Sequence, residues 1–226
     1  MSVATRGSDI SEAVENYAKA IYAIQSREGT VTTNALAERL GVTPASASGM
    51  VKKLDGLGLV SHEPYKGVQL TPAGERLALE VIRHHRLLEL YLAETLDVPW
   101  DRVHEEAEVL EHVLSEELEA LIAKKLGDPT VDPHGDPIPS AELKIEEKPT
   151  DALGDLEPGA RARFVRISDS DPEMLRYLAD RGIAPGDDFE VIEKQPFDGP
   201  IFARFGDDVH VLGGALATAM RVEVKR

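Results

Sequence analysis

Four of the seven histidines in this chain, His84, His85, His104 and His112, lie close together in the sequence, interleaved with Glu89, Glu108 and Glu111. In HHRLLE, His85 and Glu89 are four residues apart, so a helix would put them on one face. In HEEAEVLEH, His104, Glu108, Glu111 and His112 stand at offsets 0, 4, 7 and 8. At about 100° per residue those offsets span an arc of only about 100°. Val103, Ala107, Leu110 and Leu114 take a separate, apolar arc of the same helix. A lone glutamate on a helix is ordinarily a solvated charge, and a lone histidine is incidental. Six convergent residues on two consecutive helices are different: packed carboxylates repel and shift their pKa values upward, and a divalent cation removes that repulsion. The chain has no cysteine, which excludes thiolate chemistry, disulfides and iron–sulfur clusters. A nitrogen and oxygen donor set suits manganese or ferrous iron, with zinc and cobalt able to compete through intrinsic affinity.

The elements that must position these residues are legible in the spacing. Ile10, Val14, Tyr17, Ile21 and Ile24 recur at helical intervals, with Ser11 as a cap for a first helix. Thr33 to Leu40 reads as a short second helix capped by Thr33 and ended by Gly41, and Thr43-Pro44 opens a third. Ala35, Leu36, Leu40, Val42, Ala47, Val51 and Leu54 are expected to pack these two together. LVSHEPYKGVQLT then alternates around Lys66-Gly67 as a two-stranded hairpin would, giving helix, turn, helix and wing in order. Thr71-Pro72 starts a long helix to about residue 94, another is expected from Asp101 to Leu114, and a third from Ser115 to Leu126. DPTVDPHGDPIPSAELKIEEKPTDALGD, rich in proline, reads as an ordered loop passing into a linker, with a domain boundary near residue 150. Beyond it, short alternating runs and one helix around Pro172 to Asp180 describe a small β-barrel. The fold class is mainly α with a small β domain. The divisions expected are 1–72, 73–140, a linker 141–153, and 154–226.

The net charge of −16 argues against nucleic acid as a partner until its distribution is considered. Residues 1–70 hold seven Lys or Arg and seven Asp or Glu, so the excess negative charge lies wholly beyond them. The neutral amino-terminal third can approach a phosphate backbone. Thr43, Ala45, Ser46, Ser48, Gly49 and Lys52 are expected to be exposed on the third helix. Small polar residues there let the backbone approach a major groove, with Lys52, Lys53 and Lys66 supplying charge. The bland alternative is a helical core with a hairpin that binds no DNA.

The sequence order from the first helix through HHRLLE, VHEEAEVLEH and DPHGDPIP to the carboxy-terminal strands resembles the DtxR family of iron- and manganese-dependent repressors over nearly the whole chain. That resemblance implies a homodimer, a middle dimerisation and metal-binding domain, and an SH3-like, FeoA-like carboxy-terminal β-barrel. It implies one metal site from Asn16, Glu108, Glu111 and His112, and an ancillary site from His85, Glu89 and His104 with an acidic group of the third domain. Asp171 is the first match for that group and Glu173 the second. Iron-sensing members carry Cys where this chain has Glu108, so the resemblance is to the manganese-responsive branch. Manganese-sensing members commonly have Asp where Asn16 stands, and Lys19 occupies a position that is acidic in some two-manganese sites. His134, in its Gly/Pro turn, is expected to be structural.

The expected function is a manganese-activated, and also iron-activated, dimeric repressor of palindromic operators controlling metal-homeostasis genes. Zn2+ or Co2+ would substitute in vitro. Metal joining Asn16 to the ligand helix would set the spacing of two recognition helices. Two rivals stand beside it: a winged-helix regulator sensing a small organic ligand, and a metal-dependent hydrolase. No catalytic residue is assigned, no membrane span is expected, and the chain reads as cytoplasmic.

Overall fold

The computed structural model describes residues 10–63, 67–197 and 199–225, with the side chains of all but Glu28, His62 and Glu63. Its contacts divide the chain into two compact units: Met1–His84 with Glu111–Leu114 and Pro139–Lys144, and His85–Leu110 with Ser115–Ile138 and Ile145–Arg226.

The first unit begins with α1 (Glu12–Glu28), which follows Ser11 as expected, although the Ser11 side chain makes no capping hydrogen bond. α2 (Thr33–Arg39) is capped by Thr32 rather than Thr33. Thr32 has the extended backbone a cap needs, and its hydroxyl accepts from Ala35 N at 3.1 Å. α3 (Pro44–Gly56) starts as expected, with Thr43 accepting from Ser46 N and Pro44 in the first turn, where its missing N–H costs nothing. Leu36, Ala37, Ala47, Val51 and Leu54 are buried between and beneath these helices, each leucine contributing about 2 kcal/mol. Val42, expected in that core, is exposed, and Ala37 packs there instead.

β1 (Val60–Glu63) and β2 (Gly67–Leu70) pair antiparallel, from Val60 opposite Leu70 to Glu63 opposite Gly67. The long helix α4 (Pro72–Leu96) follows. Its start is welded to the wing: Thr71 Oγ1 donates to Gly58 O and accepts from Gly74 N. A Cβ on Gly74 would lie 1.9 Å from Leu59 O, so only glycine lets the helix sit there.

Beyond α4, α5 (Val103–Leu110) stops before Glu111, which corrects the expected helix to Leu114. The His84 ring Nδ1 engages Glu111 O at 3.1 Å, and Ser115 is already the cap of α6 (Glu116–Lys125), accepting from Leu118 N. Glu111 and His112 lie in the turn between α5 and α6. The arc drawn through His104, Glu108, Glu111 and His112 does not exist as one helix face.

In the carboxy-terminal region, β3 (Asp151–Ala152), β4 (Arg161–Arg166), β5 (Asp188–Lys194), β6 (Ile201–Phe205), β7 (Asp208–Leu212) and β8 (Arg221–Val224) form one sheet in the order β3-β8-β4-β5-β6-β7. α7 (Pro172–Ala179) was expected; α8 (Gly214–Ala219), only six residues long, was not. The sheet is open rather than a closed barrel: among the described residues β3 pairs only with β8, and β7 only with β6. β3, two residues long, gives way to the 3-10 turn Leu153–Asp155 and is too short to reach a second neighbour. Phe164, Val191, Ala203, Leu212 and Val222 pack under Leu175, Leu178 and Met220 to form its core.

Candidate metal centre and nucleic-acid interface

Within the second unit, α4 delivers His85 and Glu89 one turn apart, α5 delivers His104, and the loop after β4 delivers Asp169. His85 Nε2 lies 3.0 Å from Glu89 Oε1 and 3.1 Å from His104 Nδ1. His104 Nδ1 is 3.3 Å from the same Glu89 oxygen and 2.9 Å from Asp169 Oδ2. One donor atom from each of these four residues lies within 4.8 Å of all the others, close enough to converge on a single ion. Two imidazoles and two carboxylates, with no sulfur, form the donor group.

Electrostatics agree with the geometry. Hydrogen bonds to Asp169, then to Glu89, raise His104 to about 10 against the opposing effect of burial. Burial pushes Glu89 up, but His104, His134 and His85 together hold its carboxyl well below the usual range. A proton on His104 thus supplies positive charge to the two carboxylates beside it.

The loop carrying Asp169 is positioned by the HGDP turn. Asp132 Oδ1 accepts from His134 N at 2.8 Å and Asp136 N at 2.9 Å, folding the turn on itself. His134 O then accepts from Ile167 N, two residues before Asp169. A Cβ on Gly135, whose φ is +86°, would meet Val165 O at 1.9 Å. His134 is buried, stacks on Trp100 with ring centroids 5.7 Å apart, and engages Trp100 O through Nε2 at 2.8 Å. Its Nδ1 has no hydrogen-bond partner and sits 3.8 Å from Glu89 Oε2. Burial, then the charges of Glu89 and Asp136, push Asp132 up to about 8. Glu89, Asp132 and His134 are thus close enough to form a second donor group sharing Glu89. The role expected for His134 in shaping the turn is visible in these contacts, and the ring also faces Glu89.

Asp171, the acidic group expected at the ancillary site, instead caps α7, its Oδ1 accepting from Glu173 N and Met174 N. Its carboxylate is consumed locally by orphan helix donors, and Asp169, two residues earlier, takes the place beside His104. Glu173 serves the first turn of the same helix. Sequence alone offered one cue for this: an Asp-Pro pair is a strong helix start, and so a poor free ligand.

In the first unit, Glu111 and His112 meet beside Glu15 of α1, the residue before Asn16. Asn16 Oδ1 is buried with no hydrogen-bond partner. His112 Nδ1 lies 2.5 Å from Glu15 Oε2, and its Nε2 faces Glu111 Oε1 at 3.4 Å. A proton donated from Nδ1 to Glu15 leaves the Nε2 lone pair directed at Glu111, the orientation a metal-bound histidine needs. Lys19 Nζ is 2.6 Å from the same Glu111 oxygen. Glu15, absent from the expected set, is the residue that orients His112; its signal was only its place beside Asn16. Glu108 belongs to the second unit, 3.9 Å from His85 Nδ1 and 3.8 Å from His104 Nε2.

On the DNA-facing candidates, Thr43, Ala45, Ser46, Gly49, Lys52 and Lys53 are exposed and Ser48 is half-buried. Thr43 and Ser46 hydroxyls are linked at 3.0 Å, and Gly49 has open space around it. Lys66 lies outside the described residues.

Three family models match: the N-terminal DNA binding domain of iron dependent repressors over residues 9–68, their metal binding and dimerisation domain over 71–140, and the FeoA domain over 152–224. The diphtheria toxin repressor of Corynebacterium efficiens is 32% identical over 226 residues, spanning 95% of this chain and 96% of that one. The chain belongs to the diphtheria toxin repressor (DtxR) family. The iron-dependent repressor IdeR of Mycobacterium tuberculosis is 31% identical, over 95% of this chain and 98% of its own. A solved manganese-dependent transcriptional repressor in complex with manganese superposes with a TM-score of 0.85 at 41% identity, covering 94% of this chain and all of that one. The manganese regulator SloR superposes at 0.73 with 30% identity, over 94% and 98% of the two chains. Within the DtxR family frame, α2, α3 and the β1–β2 hairpin form the DNA-binding module, and the open six-stranded sheet is the FeoA domain.

Proposed function

We propose that this DtxR-family protein is a manganese-activated transcriptional repressor, responsive also to ferrous iron, that binds palindromic operators of metal-homeostasis genes as a homodimer in the cytoplasm. The observation that carries the reading is the cluster of His85, Glu89, His104 and Asp169, with four donor contacts of 2.9–3.3 Å and a donor atom from each residue within 4.8 Å of the others. A donor set of nitrogen and carboxylate oxygen favours a harder ion, and zinc or cobalt would enter it in vitro. Asn16, Glu111 and His112 are the second proposed set, fitted by an orphaned amide oxygen and a histidine whose lone pair Glu15 directs. The family resemblance adds Glu108 to it, a carboxylate where iron sensors have a thiolate.

When bound, the ion supplies positive charge that satisfies clustered carboxylates without a proton. The protein's part is to hold donors from α1, α4, α5 and the Asp169 loop so that their positions differ between loaded and empty states, which couples metal to operator. Reciprocity requires that operator DNA tighten metal binding by the same factor. Exposed Lys52 and Lys53 would hold phosphates while Thr43, Ala45, Ser46, Ser48 and Gly49 meet the groove, with Lys66 of the wing beside them. Val109, Leu118 and Leu121 are 71%, 49% and 58% exposed, and the match to the dimerisation domain of iron dependent repressors over residues 71–140 supports pairing of two copies. No described helix is long and apolar enough to cross a membrane. The domain division proposed is 1–72, 73–140, 141–153 and 154–226.

Fluorescence anisotropy with DNA from the protein's own upstream region tests this directly, first with chelator, then with buffered Mn2+, Fe2+, Zn2+ and Co2+. Binding is expected only with metal, and with Mn2+ at the lowest free concentration relative to its cellular range. Equal binding under chelator would reject metal activation and leave a winged-helix regulator of an organic ligand.

A further inference from the structure

The Glu111 side chain is entirely buried, and a carboxylate removed from water needs a cation beside it. Beside it stands the ammonium of Lys19, 2.6 Å from Oε1, on a side chain still 20% exposed. The same oxygen faces His112 Nε2 at 3.4 Å. Ammonium and imidazole lone pair therefore converge on one carboxylate oxygen. An ion taken between Glu111 Oε1 and His112 Nε2 would sit within about 3–4 Å of the ammonium, where two positive charges repel strongly in a low-dielectric site. Lys19 can leave: its stem reaches the surface, and outside the pocket its charge is solvated. Glu15, one turn earlier on α1, engages the other ring nitrogen, His112 Nδ1, at 2.5 Å.

We propose that Lys19 is a built-in competitor of the metal at Glu111, an internal cation that balances this carboxylate in the empty protein and must be displaced for the ion to bind. Lys19 thereby sets how much free metal the first-unit set requires. The proposal rests on the reading of Asn16, Glu111 and His112 as metal donors.

The test uses full-length protein carrying His104→Gln, which silences the second-unit cluster, and follows Mn2+ binding by calorimetry together with metal-free thermal melting. Lys19→Gln should bind Mn2+ about tenfold or more tightly, as loss of a close buried repulsion implies, while its metal-free form melts earlier because Glu111 loses its counter-ion. Lys19→Arg should keep both properties near those of the parent. Lys19→Met, which retains the aliphatic stem, supplies the same measurement if the Gln variant does not fold. Unchanged or weaker Mn2+ binding by the neutral variants would overturn the competitor role. Glu111→Gln in the same background separates the two readings: if it binds Mn2+ as tightly as its parent, the first-unit metal set itself is refuted.

Discussion

Replacing Asp169 with Asn asks whether the four-donor cluster holds an ion. Asp169 is the largest contributor to a His104 pKa of about 10, with Glu89 second. The His104 side chain is 40% exposed, so water screens part of that pull, but the ring still carries its proton at neutral pH. An ion needs the Nδ1 lone pair, and binding must expel the proton. Apparent affinity therefore rises about tenfold per pH unit for as long as the empty ring stays protonated. The sign for stability is opposite: the raised pKa stabilises the empty fold fully below the ring's ordinary 6.5, and that contribution is lost as pH climbs toward about 10. Asp169→Asn removes the main support of the proton and exchanges a charged donor for a neutral amide. The lost donor should lower affinity by about 10- to 100-fold, but weaker proton competition at His104 offsets part of that loss at pH 8, so the rise of affinity with pH should flatten in the variant. The proton released per ion should also shrink at lower pH than in the parent. Calorimetric Mn2+ titrations in two buffers of different ionisation enthalpy, from about pH 6 to 8 and in a Glu111→Gln background, read both quantities. Parental affinity together with parental proton release would refute the assignment of Asp169 and the cluster built on it.

Two further outcomes are expected. Gly135→Ala forces a Cβ to within 1.9 Å of Val165 O at a φ of +86° and should destabilise the fold by about 2–4 kcal/mol, read as an earlier thermal transition; an unchanged melt would mean the turn is not clamped on β4. Lys52→Ala with Lys53→Ala should weaken DNA binding about equally for operator and unrelated sequence and lower the salt dependence by about one to two counterions. A selective loss on the operator alone would instead place these lysines on base edges.

What could be read in the sequence followed the range of the interactions involved. The Thr43 cap, Pro44 at the first turn of α3, the Ser115 cap and the pairing of the hairpin are all set by residues within a few positions of each other, and apolar spacing carries them. His85 and Glu89 are likewise one helical turn apart, so their meeting was legible. The end of α5 was not: no cap or breaker immediately follows Leu110 in the sequence, and the contact the next residue makes, Glu111 O with the His84 ring, spans 27 positions. Asp169 was missed for the same reason. Its place beside His104 depends on Gly135 lying against Val165 and His134 bonding Ile167, contacts that no spacing rule contains. The Asp171 choice followed the family resemblance; in the structure its carboxylate caps a helix, where two backbone N–H groups lie at hand.

The two donor sets solve one electrostatic problem in different ways, and that difference can be measured. In the second unit the carboxylates of Glu89 and Asp169 are balanced by a proton on His104, which must be released as an ion enters. In the first, Glu111 is balanced by Lys19, whose charge leaves the oxygen without leaving the molecule. Loading the second-unit cluster therefore consumes affinity at low pH. Loading the first requires rearrangement of a side chain, and its cost is removed by neutralising residue 19. On these proposals a single chain would carry one metal set whose threshold follows acidity and another whose threshold is written into α1. Proton counts, measured with each set silenced in turn, distinguish them without any assay of repression.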